Sequence, residues 1–190
     1  KPHEKGVYHR NLVNAALYIL SPAIFTHIDE NIFSDFGKDI FPRLISSEQS
    51  VYGYNTTEYI KDIGTIERLR EVEEDYTSGK VKRRNKANPQ QAVFIDRDGV
   101  INQEDGRLNE ISKFKLLEGV EKACKILNKS AYLSIVVTNQ PIIAKGFASE
   151  EQIQEIHNYM EHLLGRGHAY VDRIYYCPHH PEKGHAGERE

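Results

Sequence analysis

Residues 92–99 read AVFIDRDG, and the reading of this stretch decides the fold. Ala92 to Ile95 make a short apolar strand, which the chain leaves through two acids one residue apart, Asp96 and Asp98, before Gly99 relieves the backbone. In open α/β sheets ligands sit beyond the carboxyl ends of the strands, so this pair stands where chemistry is placed. Two carboxylates so close repel each other unless a cation or a proton compensates them, and Mg2+ is the usual partner of hard oxygen donors. A DxDG turn also arises in plain loops, so a second signal is needed.

Working toward the C-terminus, the pattern turns regular. Glu118 to Lys129 is expected as a helix with Val120, Ala123, Ile126 and Leu127 inward, and Ala131 to Val137 as a second buried strand. Ser149 and Gln152 form a capping-box start for a helix with a core stripe of Ile153, Ile156, Met160 and Leu163. Tyr170 to Tyr176 is the third strand. Alternating strands and helices predict βαβ units, a mostly parallel sheet and right-handed crossovers. The second strand ends in Thr138, Asn139 and Gln140, which brings a hydroxyl and amides to the same sheet edge as Asp96 and supplies the second signal.

Toward the N-terminus, Thr77 to Gln91 reads TSGKVKRRNKANPQQ, polar and basic without an apolar face, and is expected as a linker. Its Lys80 to Lys86 cluster has an alternative use in binding phosphate or nucleic acid, with a solvated linker favoured. Before it, Thr65 opens a charged amphipathic helix from Ile66 to about Tyr76. Strands are expected at Asn11 to Leu20, Val51 to Asn55 and Tyr59 to Ile63, with a short helix after Ser21-Pro22 and another over Asp39 to Ile45 interrupted near Pro42.

Hydrophobic residues at 39%, charged residues at 28% and a net charge of -3 describe a globular chain with no electrostatic call for nucleic acid. No apolar run reaches the roughly 18 residues a bilayer span needs, and KPHEKGVYHR is no signal peptide, so a cytoplasmic protein without a membrane partner is expected. Cys124 and Cys177 lie in unlike settings and are expected as reduced thiols.

FIDRDGVIN (94–102), VVTNQPIIAKG (136–146) and CPHHPEKG (177–184) resemble the opening motifs of the haloacid dehalogenase superfamily, above all its D-glycero-D-manno-heptose 1,7-bisphosphate phosphatases and histidinol-phosphatase relatives. The resemblance covers about residues 91–190. It implies an aspartyl-phosphate formed on Asp96, with Asp98 as acid and then base, and Mg2+ on the Asp96 carboxylate and the Asp98 backbone carbonyl. It also implies phosphate binding by Thr138 and Asn139. Pro141-Ile142 and Lys145 stand where the family usually has serine-glycine and arginine, so Lys145 is the expected phosphate contact in a loop that has drifted. Cys177 and His179 suit zinc by type, and the resemblance makes them half of a structural Zn2+ site that a later Cys-x-Cys completes.

The first 79 residues resemble the C-terminal part of sugar-1-phosphate nucleotidylyltransferases, in KP (1–2), NAALYIL (14–20), DIFPRLI (39–45) and YIKDIGTIERLREVEEDY (59–76). That likeness implies sugar-phosphate binding by Lys1 and Asn14 and a second Mg2+ on Asp62. Read singly, Lys1 is a free terminus, Asn14 a turn residue and Asp62 a turn acid before Gly64. The expected fold class is thus α/β: a partial Rossmann-like sheet over 91–190, a linker over 80–90, and the C-terminal portion of a nucleotidylyltransferase α/β domain over 1–79. The expected function is part of a bifunctional enzyme of nucleotide-heptose synthesis, taking a sugar phosphate in one half and an NTP in the other. The phosphatase family's later lysine and aspartate and the transferase family's glycine-rich loop are not among these residues, so the chain alone is expected to be incomplete and inactive. A histidinol-phosphate phosphatase and a non-catalytic scaffold or oligomerisation module are the alternatives.

Overall fold

A computed structural model describes residues 6–184, and it divides into two compact units, one of residues 12–56 and one of residues 6–11 with 57–184. Lys1 lies outside the described residues, so its expected sugar-phosphate role has no structural counterpart.

The unit 12–56 is helical. A 3-10 helix, Pro22–His27, starts after Ser21, whose hydroxyl accepts from the Ala23 N–H. Asp35 then caps a single wide turn of π-helix, Phe36–Ile40, by accepting from the Gly37 and Lys38 N–H groups at 2.8 and 2.9 Å. That turn runs into α1, Phe41–Ser46, with Pro42 in its first turn where the missing N–H costs nothing. The break expected near Pro42 is this change of helical pitch. Ile24, Ile40 and Leu44 are buried together, and the Tyr18 ring lies 4.9 Å from that of Phe41.

The strands expected at Asn11 to Leu20 and Val51 to Asn55 do not form, nor does the one at Tyr59 to Ile63 in the other unit. Their composition suits a sheet, but a strand is stable only when neighbours take up its backbone groups, and among the described residues none runs beside them. Val13, Leu17 and Ile19 are correspondingly exposed.

In the second unit, α2 (Ile66–Thr77) is capped by the Thr65 hydroxyl and carries no buried residue, as an outer helix should. The four-residue α3, Lys80–Arg83, follows at once. The basic segment is less solvated than its composition predicts. Lys80 pairs with Asp75 at 3.1 Å, and Arg84, 5% exposed, pairs with the buried Asp172 at 2.5 Å. Asp172 also accepts from the Ser134 N–H and hydroxyl, so Arg84 ties the chain ahead of the sheet to the starting ends of its second and third strands.

The sheet has three parallel strands in the order β1 (Ala92–Ile95), β2 (Leu133–Asn139), β3 (Arg173–Cys177), with α4 (Val120–Lys129) and α5 (Glu150–Arg166) as crossovers. Right-handed crossovers that step each time in the same direction lay both helices on one face. On that face Ile95, Val136 and Ile174 pack with Cys124 of α4 and with Ile153, Ile156, Met160 and Leu164 of α5. The capping box at Ser149 and Gln152 is formed in both directions. Among the described residues nothing covers much of the opposite face: Phe94, Val137 and Tyr175 are 69%, 45% and 58% exposed. Among the described residues no helix is long and apolar enough to cross a membrane.

Candidate active site

The carboxyl ends of the three strands gather the expected residues. In register, Ile95 faces Val136 and Asn139 faces Cys177, so Asp96, Asn139 and Cys177 sit at neighbouring tips. Beyond Ile95 the chain makes a tight reversal in which the Ile101 and Asn102 N–H groups return to the Arg97 carbonyl and the Gly99 N–H to the Asn102 carbonyl. Gly99 holds φ +76°, a conformation that side chains with a Cβ resist, so the glycine is required there.

This reversal aims the two acids differently. Asp96 is exposed, and one carboxylate oxygen accepts from the Arg97 N–H at 2.7 Å. Asp98 is enclosed by donors. The Arg97 guanidinium reaches it through Nε at 3.1 Å and Nη2 at 2.9 and 3.0 Å, while the Asn102 amide donates to Oδ1 at 3.0 Å and the Gln140 amide to Oδ2 at 2.8 Å. Burial pushes the Asp98 carboxyl up, but the Arg97 bonds and charge, with the Asn102 and Gln140 amides, outweigh it and hold the group below the usual carboxylate range. The repulsion foreseen between the two acids is therefore answered by Arg97, which lies between them in sequence and is itself fully buried. The Thr138 hydroxyl, also buried, accepts from the same Gln140 amide at 3.0 Å, which links the tip of β2 to Asp98.

Behind Arg97 stands a residue that motif reading passes over. Nη1 of Arg97 lies 3.1 Å from Nε2 of His157 on α5, and His157 is 1% exposed. A guanidinium only donates, so Nε2 is the acceptor and the ring is neutral with its proton on Nδ1. Burial, then the Arg97 charge, lowers the His157 pKa from 6.5 to about 3, with Asp98 opposing. The sequence signal was a histidine inside the core-facing stripe of α5. The sign of the linkage follows: the folded pKa is depressed, so the unfolded chain binds the extra proton, and stability present above about pH 6.5 is lost as pH falls toward about 3. We expect the urea midpoint of the chain to drop steadily from pH 7 to pH 4, with a flatter fall in His157→Gln. A midpoint that stays constant over that range, or falls equally in the variant, would count against a buried neutral His157.

The other expected site residues separate. Asn139 and Lys145 are exposed on the end of β2 and the turn that follows it. Cys177 Sγ and His179 Nδ1 are 3.7 Å apart, but two donors do not fill a tetrahedral zinc shell, and among the described residues no three His, Cys, Asp or Glu side chains gather to hold a metal. For magnesium the fit is better, because that ion keeps waters and takes one or two protein oxygens beside substrate phosphate. Asp96 offers an exposed carboxylate for this, whereas the Asp98 carboxylate is spent on Arg97, which leaves its backbone carbonyl as the second donor. In the first half, Asn14 accepts from the Ala16 N–H and the Tyr18 hydroxyl within the unit 12–56. Asp62, in the other unit, accepts from the Gly64 N–H and pairs with Arg68 of α2.

Comparison with known proteins separates the chain into the same two likenesses. Residues 1–79 match the family described as Nucleotidyl transferase. Over 92 residues the chain is 47% identical to a D-glycero-beta-D-manno-heptose-1,7-bisphosphate 7-phosphatase of Haemophilus ducreyi, covering 48% of this chain and 50% of that protein. Over 93 residues it is 43% identical to a D-glycero-alpha-D-manno-heptose-1,7-bisphosphate 7-phosphatase of Burkholderia mallei, covering 49% of each. Among solved structures, the D,D-heptose 1,7-bisphosphate phosphatase of B. bronchiseptica, complexed with magnesium and phosphate, aligns over 51% of this chain and 55% of its own, at 31% identity and a TM-score of 0.47. The chain spans about half the length of the curated relatives it matches. Both resemblances read from the motifs are thus matched, the nucleotidylyltransferase one over residues 1–79 and the heptose bisphosphate phosphatase one in the sequences of these relatives.

Proposed function

We propose that residues 91–190 are the front part of a Mg2+-dependent phosphatase that hydrolyses D-glycero-D-manno-heptose 1,7-bisphosphate. It is joined through residues 80–90 to a part, residues 1–79, of a sugar-1-phosphate nucleotidylyltransferase. The observation that carries the reading is the placement of an open Asp96 carboxylate beside a donor-enclosed Asp98 and a buried Thr138 at adjacent tips of a parallel sheet.

Asp96 attacks phosphorus, the bond from phosphorus to the sugar oxygen breaks, and the proton on Asp98 goes to that oxygen. Water then attacks the aspartyl-phosphate, giving its proton to Asp98 and releasing phosphate and the free Asp96 carboxylate. Asp98 is ionised at neutral pH in the free site, so it must gain its proton when a phosphate dianion approaches and raises its pKa. Thr138 and Asn139 hold phosphoryl oxygens, and Lys145 meets the phosphate from the loop after β2. When bound, Mg2+ on Asp96 and the Asp98 carbonyl screens the charge that attack brings together. In the transferase half the full protein would take an NTP and a sugar phosphate, with Asp62 toward metal and Asn14 toward sugar.

The deciding measurement is phosphate release by the full-length protein that carries these residues, offered heptose 1,7-bisphosphate or histidinol phosphate. A preference of at least roughly tenfold in kcat/KM, about 1.4 kcal/mol of transition-state binding, is expected for the heptose. Preference for histidinol phosphate would reassign the substrate, and release from neither would sink the reading.

A further inference from the structure

The fully buried Arg97 is held from two sides. Toward the site, three of its N–H bonds fix the Asp98 carboxylate in the plane of the guanidinium. Away from it, Nη1 is held by His157, which the second crossover helix, α5, carries on its buried face beside Ile156. The His157 ring also lies against the ring of Tyr176, next to the tip of β3, at 5.5 Å between centroids, so its own position is set by packing. A guanidinium without that acceptor would still be tethered to Asp98 but free to pivot about it, and the carboxylate would pivot with it.

We infer that His157 is a positioning residue of the phosphatase site, which fixes Arg97 from behind and through it the plane in which the Asp98 carboxylate meets substrate. This rests on the assignment of Asp98 as proton donor and acceptor. His157 touches neither substrate nor reacting atoms. What it supplies is alignment, and a misplacement near 1 Å at a proton-transferring group costs on the order of 100-fold in rate. The bond requires only an acceptor at the Nε2 position, which the Oε1 of a glutamine on the same helix can reach and a leucine cannot provide.

The test is steady-state phosphate release by the full-length protein as wild type, His157→Gln, His157→Leu and Asp96→Asn. The expected result is kcat lowered roughly 10- to 100-fold in His157→Leu with KM within about twofold, and recovered to within a few-fold of wild type in His157→Gln. A leucine variant with wild-type kcat, equal losses in both His157 variants, or a change confined to KM overturns the inference alone. Turnover retained in Asp96→Asn overturns the reading of the site instead. Leucine leaves a buried N–H unanswered and risks the fold, so a second measurement uses this chain with His157→Gln and His157→Asn, the latter one methylene too short. The Arg97 Nη1–H resonance, the one that His157 holds, is expected to exchange slowly with water in wild type and His157→Gln and rapidly in His157→Asn. Equal exchange in the two variants overturns the inference.

Discussion

Asp96→Asn is expected to lower phosphate release by the full-length protein roughly ten-thousandfold or more while leaving the fold intact. The size follows from the proposed role of Asp96 as covalent nucleophile, since without one such a site only binds and polarises substrate. The silence of the fold follows from where Asp96 stands. Its side chain is exposed, and the bond it makes among the described residues, accepting from the Arg97 N–H, is kept by the amide oxygen of asparagine. Far-UV dichroism and the thermal midpoint should therefore match wild type. A variant that still turns over at near wild-type rate removes Asp96 from the nucleophile role, whereas a variant that loses its midpoint contradicts the exposed position.

The second large effect concerns stability, and it is asymmetric. Arg97 and Asp98 form one ion pair, but their side chains are 0% and 30% exposed. Asp98→Ala strands a guanidinium that water cannot reach, at a cost of about 3–5 kcal/mol, which is on the order of 10 °C in Tm for a chain of this size. Arg97→Met removes the other partner and leaves a carboxylate that still meets solvent and keeps the Asn102 and Gln140 amides, while the buried His157 Nε2 loses its donor, so about 1–3 kcal/mol is expected. Urea unfolding of the two variants decides it. Equal losses, or a greater loss in Arg97→Met, would mean that the guanidinium rehydrates and that the burial seen for it does not govern the pair.

The parallel sheet and the presence of its two crossovers were legible because their signals are local, although on α4 Ala123 and Ile126, expected inward, are exposed and Cys124 is the buried residue. The stripe Ile153, Ile156, Met160 marks one face of a helix, Ser149 with Gln152 marks its start, and the apolar runs of β1 and β2 end in polar tips. The expected strands before residue 64 were misread for the opposite reason. NAALYIL has the composition of a buried strand, but a strand takes its stability from a neighbour, and composition does not say whether one is at hand. The site shows the same division. Asp96, Asp98 and Thr138 follow from strand-end logic, whereas Arg97 between the two acids has no local signal, because its partner His157 lies 60 residues along the chain. Arg84 was likewise absorbed into a basic run, although its partner Asp172 waits 88 residues away. Charged residues that end up buried are the hardest to read in a sequence, since composition places them at the surface and only tertiary structure supplies the counter-charge.

The bare side of the sheet has a colloidal consequence. Among the described residues, Phe94, Val137 and Tyr175 form an apolar strip on a sheet whose outer strands, β1 and β3, have no further strand beside them, a surface onto which another chain can add. What opposes such encounters in solution is long-range repulsion, and a net charge of -3 supplies little of it. Near the isoelectric point, about pH 6.3, even that vanishes, so dispersions of this chain are least durable at mild acidity and gain shelf life as alkalinity and charge rise together.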